Sequence, residues 1–151
     1  MVARKDIRIV APEGEAAFAK YFRLRYETLR KPWGDVEGSE REDDDREAIH
    51  RMLVAGEEGT VIGVARLHFN NPDEAQIRLM AIREERRGQG LGRQLMAEME
   101  AVARAEGAKR VMLHARDYAV GFYEKLGYST LEPSYLLMGQ IQHYQMVKEL
   151  K

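Results

Sequence analysis

Residues 87–92 read Arg-Gly-Gln-Gly-Leu-Gly, and they stand where a strand pattern hands over to a helix pattern. Upstream lies the apolar stretch Ile77-Arg78-Leu79-Met80-Ala81-Ile82. Downstream, Leu91, Leu95, Met99 and Val102 recur at helical spacing, and Gly107 follows as a stop signal. Glycines at such a junction let the backbone approach a ligand closely. The amides of the first helical turn have no partner inside the helix, and with the helix dipole they favour an anion, phosphate above all. Arg83, Arg86, Arg87 and Arg93 surround this turn against Glu84 and Glu85, so the charge from 83 to 93 is 4 − 2 = +2. The pattern predicts a pyrophosphate cradle built from Arg87, Gly88, Gln89, Gly90, Leu91, Gly92 and Arg93.

The spacing sets aside two common phosphate loops. A P-loop needs G-x-x-x-x-G-K-[ST], and no Lys-Ser or Lys-Thr follows here. The dinucleotide fingerprint G-x-G-x-x-G is absent because Gly88, Gly90 and Gly92 alternate. What remains is Arg87-x-x-Gly90-x-Gly92. A second segment, Asp117-Tyr118-Ala119-Val120-Gly121-Phe122-Tyr123-Glu124-Lys125-Leu126-Gly127-Tyr128, follows the strand-like Val111-Met112-Leu113-His114. The first motif resembles the [Q/R]-x-x-G-x-[G/A] signature of the GNAT superfamily of acyl-CoA-dependent N-acetyltransferases. The second resembles that family's late A-x-x-F-Y-x-x-x-G-[FY] segment. Both occur in the family's order, and the resemblance covers residues 7–150. Leu24-Arg25-Tyr26-Glu27, Lys31-Pro32-Trp33-Gly34 and Glu74-Ala75-Gln76-Ile77-Arg78 are similar to a subgroup of small bacterial GNAT proteins.

The resemblance implies an acyl-CoA N-acyltransferase fold, α/β, with a mixed, mostly antiparallel central sheet and helices on both faces. It implies acetyl-CoA as co-substrate and an amine acceptor that attacks the thioester directly. The acetyl oxygen then needs an N–H donor, the departing thiolate an acid, and the incoming ammonium a base. For the donor the resemblance points to the backbone at Met80, Ala81 and Ile82, where the family carries a bulge that frees main-chain groups from the ladder. For the acid it points to Tyr123, protonated at neutral pH as an ordinary phenol is. If Asp117 caps the helix, Phe122 and Leu126 face the core with Ala119, and Tyr123, rotated about 100° from Phe122, points elsewhere, toward the cleft. Tyr118 and Phe122 are expected at the CoA arm. Tyr118 departs from the family, which often has Asn there, so a phenol must contact the cofactor, stack on it or simply pack. His68, His114, His143 and Glu74 are candidate bases beside a water chain, and none is assigned.

Composition narrows the alternatives. The chain has 151 residues and 44% hydrophobic content, which suits a single domain over 1–151 with a core of its own. A net charge of −1 argues against general nucleic-acid binding despite the arginine cluster. The absence of cysteine excludes disulfides, thiolate metal sites and a Cys nucleophile. The four histidines show no ligand spacing, so no metal is expected. No apolar run approaches the roughly 20 residues that span a bilayer, and the first residues lack a signal-peptide core. The expectation is a soluble cytoplasmic protein without a membrane partner, its oligomeric state open, with homodimers frequent in the family through edge strands. The other class of function is a non-catalytic acyl-CoA-binding or sensing module.

Along the chain, Ile7–Val10 reads as a strand, and 15–30 as a helix with Phe18, Phe22 or Tyr21, Arg25 and Leu29 along one side, ended by Pro32. Residues 52–55 and 61–69 read as a hairpin turning through 56–59, and 70–73 as the next turn. Residues 128–131 and 141–147 read as closing strands, and 132–140 as their connection. The sum is a mixed α/β layer. Residues 35–47 carry eight acidic side chains against Arg41 and Arg46, a net of 2 − 8 = −6. This segment and Trp33 correspond to the family's acceptor pocket, and its Asp43, Asp44 and Asp45 are expected to attract a cationic amine.

Overall fold

Seven strands and three helices carry the described residues, 6–137 and 139–151, of the computed structural model. Residues 1–5, part of the stretch read above for a signal peptide, lie outside them. The strands are β1 (Ile7–Val10), β2 (Ile49–Ala55), β3 (Thr60–Asn71), β4 (Glu74–Ile82), β5 (Arg110–Arg116), β6 (Ser129–Leu137) and β7 (Ile141–Glu149). The helices are α1 (Gly14–Leu29), α2 (Leu91–Ala105) and α3 (Val120–Lys125), with 3-10 turns at Lys31–Trp33, Glu84–Arg86 and Asp117–Ala119. One sheet runs in the order β1-β2-β3-β4-β5-β7-β6. β1–β2, β2–β3, β5–β7 and β6–β7 pair antiparallel, and β4–β5 pairs parallel. This is the mixed, mostly antiparallel α/β sheet expected.

The backbone clusters into two compact units, one holding the described residues to His68 with Leu79–Met99, the other Phe69–Arg78 with Glu100–Lys151. In the first, α1 buries Tyr21, Leu24, Arg25 and Leu29, a stripe at helical spacing. Tyr21, Leu24 and Leu29 pack with Met52, Val54, Val61, Val64 and Ala81. Pro32 has no N–H and cannot extend the helix, so the chain tightens into the 3-10 turn Lys31–Trp33. β3 is buried on both faces from Val61 to Leu67, the pattern of a covered central strand. Arg66 sits inside that apolar run with no exposed surface.

In the second unit, β5 buries Val111, Met112, Leu113 and Ala115. Its pairing with β7 runs the whole length from Arg110↔Glu149 to Arg116↔His143. Its parallel ladder with β4 covers Glu74↔Arg110, Ala75↔Val111 and Gln76↔Met112, the first three residues of each strand. Glu100 is buried and accepts from Tyr128 Oη at 3.0 Å and from Lys148 Nζ at 2.9 Å.

Strand β6 is longer than the sequence pattern indicated, taking in most of the stretch read as a connection. It is exposed nearly throughout and its register with β7 breaks between Thr130 and Glu132 and between Pro133 and Leu136. An exposed edge strand shows no alternation of apolar and polar residues, so its sequence carries no strand period. Strand β2 also starts three residues earlier than the 52–55 read from the sequence, directly after the acidic segment. That segment forms successive turns, and β2 begins at Ile49.

Candidate functional site

The glycine-rich turn is built as a helix N-terminus open on one side. Gly88 and Gly90 both have φ of +78°, a left-handed conformation that side chains with a Cβ adopt at a cost. Gln94 donates the first helical bond of α2 to the Gly90 carbonyl at 3.1 Å. The amides of Leu91, Gly92 and Arg93 precede any partner inside the helix. Leu91, Leu95, Met96 and Met99 are buried and anchor the helix, while Gly88, Gln89, Gly90 and Arg93 are exposed. Arg87 donates from Nε to the Ile82 carbonyl at 3.2 Å, and Arg86 reaches Gln89 Oε1 at 3.4 Å. Of the four arginines, Arg83 points away from the turn. Its Nε donates to Val61 O at 2.9 Å, and its guanidinium lies 3.9 Å from Glu27.

The strand leading into the turn carries one backbone irregularity. Leu79 has a φ of +55°, the one positive value among the described non-glycine residues. Such a residue leaves extended geometry, and β4 resumes after it through Met80, Ala81 and Ile82.

The late segment is folded differently in phase from the expectation. Asp117 does not cap α3. Its Oδ1 accepts from the Tyr118 amide at 2.7 Å, and a 3-10 turn precedes the helix, whose first residue is Val120. Three residues per turn instead of 3.6 shift the faces. Consequently Phe122 is exposed and Tyr123 is buried, the reverse of the sequence arithmetic. Tyr123 packs edge-on against Phe122 and Tyr128 at centroid distances of 5.0 and 5.8 Å. Burial pushes its phenol well above the usual tyrosine range against the opposing field of Arg116, so it is protonated at neutral pH. Tyr118 does not pack into the core. It is 69% exposed, and its hydroxyl accepts from Arg116 at 3.0 Å.

The candidate bases separate. Glu74 is held below its usual range by hydrogen bonds from Asn70 and, against partial burial, from Arg110. His68 Nδ1 lies 2.8 Å from Arg66 Nη2, and a guanidinium only donates, so that lone pair is taken. His143 Nδ1 donates to the Ile141 carbonyl at 3.1 Å. His114 Nδ1 is enclosed and has no hydrogen-bond partner.

The acidic segment is engaged in structure. Asp44 clasps the guanidinium of Arg66 with both oxygens at 2.7 and 2.8 Å, and Asp45 bridges Arg66 at 2.9 Å and Arg25 at 3.0 Å. Arg66 draws Asp44 down to about 2. For Asp45 burial works the other way, but the Glu42 amide and the two guanidinium groups hold it below the carboxylate range. Asp44 and Asp45 therefore neutralise buried cations and are not available to attract an acceptor, which corrects the expectation for that pair. The sequence shows the demand for carboxylates here but not which residues meet it. Arg25 lies on the apolar side of α1 and Arg66 inside an apolar strand, and buried cations demand carboxylates. A hollow of about 570 Å³ does border this segment, lined by Lys20, Phe22, Arg23, Tyr26, Glu37 and Arg41 among others, without an excess of carboxylates. Trp33 is 36% exposed.

Among the described residues no group of three His, Asp or Glu side chains could hold a metal ion, and no helix is long and apolar enough to cross a membrane.

Comparison with known proteins bears on this arrangement. The family model described as "Acetyltransferase (GNAT) family" matches residues 18–128. An uncharacterised N-acetyltransferase of Chlorobaculum tepidum is 36% identical over 89 residues, 59% of this chain and 56% of that relative, so the match spans about half of its length. A crystal structure of an N-acetyltransferase candidate from Lactobacillus plantarum has a TM-score of 0.85 at 23% identity, covering 96% of this chain and 99% of that one. An aminoglycoside 6'-N-acetyltransferase solved with coenzyme A has a TM-score of 0.75 at 15% identity, covering 94% and 96%. At these identities the two structures are alike in fold. The family model spans both the glycine turn and the Phe122-Tyr123 segment, and the chain belongs to the GNAT family of acetyltransferases.

Proposed function

We propose that this protein transfers the acetyl group of acetyl-CoA to a primary amine by direct attack, in the cytoplasm. The observation that carries the reading is the open turn at the start of α2. Two left-handed glycines and the unpartnered amides of Leu91, Gly92 and Arg93 make a lining that fits a diphosphate. Arg87, tied to Ile82, and Gln89, held by Arg86, border the same turn. Acetyl-CoA, when bound, supplies an activated thioester. The amides of Met80, Ala81 and Ile82, which follow the left-handed Leu79, are the proposed donors to the acetyl oxygen. Tyr123, kept protonated by burial, is the proposed acid for the departing sulfur. Phe122 and Tyr118, both exposed, are proposed to lie along the CoA arm.

The test is thiol release from acetyl-CoA with a panel of amines: spermidine, free amino acids, glucosamine, kanamycin and a peptide with a free N-terminus. Turnover with at least one of them is expected. Replacing Tyr123 by Phe should lower that turnover by about 100-fold with little change in acetyl-CoA affinity. Binding of acetyl-CoA without release by any amine would favour the sensing module instead.

A further inference from the structure

Resting on the reading of the glycine turn as an acetyl-CoA site, we propose that Arg83 is its positioning residue, mooring the start of the turn to a bulge in β3. The β2–β3 register contains that bulge. Val61 faces Val54 and Gly63 faces Leu53, so Ile62 is one residue more than β2 can pair. In a regular strand successive carbonyls point to opposite neighbours. Across this bulge two successive carbonyls meet a single residue. The Arg83 amide donates to the Ile62 carbonyl at 2.9 Å, and Arg83 Nε donates to the Val61 carbonyl at 2.9 Å. Val61 and Ile62 are both buried, so water is no ready substitute for either donor.

Arg83 stands at the exit of β4, immediately after Ile82. Ile82 is itself seated against β3 at Gly63, where an added Cβ would come within 2.9 Å of Ile82 Cδ1. The strand end is therefore keyed to β3 by a close approach and then pinned by the two bonds of Arg83. The next residues hang from that pin. The Arg83 carbonyl accepts from the Arg86 amide at 2.9 Å and opens the 3-10 turn Glu84–Arg86. The Arg87 amide donates to the Glu84 carbonyl at 3.2 Å, and Arg87 Nε donates to the Ile82 carbonyl at 3.2 Å. Gly88, Gly90 and the open amides of Leu91, Gly92 and Arg93 follow. The buried Leu91 and Leu95 fix the far end of the turn, and Arg83 fixes the near end.

The charge of Arg83 is directed elsewhere. Its Nη1 lies 3.9 Å from Glu27 Oε1 on α1, and Glu27 also meets Arg23 at 3.5 Å. Arg83 thus acts on an anion through the backbone it fixes and not by touching it. A turn held in its binding shape before the ligand arrives loses less affinity to ordering.

Two neutral variants of similar reach separate this role from a direct charge on the ligand. Arg83→Gln keeps an N–H donor at the chain position of Nε, and Arg83→Met puts a methyl there. Calorimetry with acetyl-CoA should find Arg83→Met about tenfold weaker than wild type and Arg83→Gln within about threefold of it. With the most active amine of the panel, Arg83→Met should raise KM for acetyl-CoA about tenfold and leave kcat within about twofold. Without ligand, amide hydrogen exchange at Arg86 and Arg87 should quicken in Arg83→Met and return toward wild type in Arg83→Gln. Equal loss of affinity in both variants would mean that the charge itself meets the ligand, and would overturn the positioning role. So would wild-type affinity in Arg83→Met. If Arg83→Met does not fold, Arg83→Gln decides alone: near wild-type affinity supports the role, and a loss of about tenfold overturns it. A folded wild type that gives no heat with acetyl-CoA overturns the acetyl-CoA reading and the role with it. A wild type that binds acetyl-CoA but releases no thiol with any amine overturns acetyl transfer alone, and the calorimetric comparison still decides the role of Arg83.

Discussion

Gly90 and Asp45 show how differently single residues act here. Gly90 has φ +78° and its carbonyl accepts the first hydrogen bond of α2, so a Cβ there opposes the shape of the turn itself. A non-glycine residue in that conformation costs roughly 1–2 kcal/mol. Gly90→Ala should weaken acetyl-CoA binding about tenfold, measured by calorimetry, with an unchanged helical signal. Asp45 is 11% exposed at its side chain and lies between two fully buried arginines. Removing its charge leaves Arg25 uncompensated, and breaking a buried pair this way costs about 3 kcal/mol. Thermal unfolding of Asp45→Asn should therefore occur on the order of 10 °C lower, whereas Asp43→Asn, at an exposed position, should change the midpoint little. If both variants unfold at the wild-type temperature, the ion network contributes nothing.

At the scale of elements, what was legible in the sequence followed from local periodicity. Leu91, Leu95 and Met99 mark the buried face of α2, and all three are 0–1% exposed. The hairpin of β2 and β3 turns where its glycines said it would. Three features were not legible. The 3-10 turn before α3 exchanged the environments of Phe122 and Tyr123, because helical arithmetic assumes one geometry throughout. Strand β6 has no buried face to produce a period. The ion network links positions 20 to 22 residues apart, beyond any local window. Within α2, Glu100 sits on the buried side, one position past Met99, and it is held by Tyr128 and Lys148. Tyr128→Phe leaves a buried carboxylate short of one donor, which should cost about 1–3 kcal/mol by urea denaturation. A neutral result would mean that Lys148 alone satisfies Glu100.

For the whole molecule, the same network sets the response to acid. Asp44 and Asp45 have folded pKa values depressed below their unfolded ones, Asp44 to about 2. The folded state thus binds fewer protons than the unfolded chain in that window. Their contribution is fully present above about 4 and is lost as pH falls toward 2. The Asp44 side chain is 43% exposed, so solvent screening reduces its share. Urea midpoints should fall between pH 4 and pH 2 in wild type and fall less in Asp45→Asn. The ligand proposed for the whole molecule is an acyl-CoA, its diphosphate held by main-chain amides at the start of α2. Isothermal titration of the folded protein with acetyl-CoA tests it most directly. Saturable heat at one site per chain, weakened in Gly90→Ala and unchanged in Tyr123→Phe, is the predicted result. No heat from a folded, monodisperse wild-type protein would contradict it.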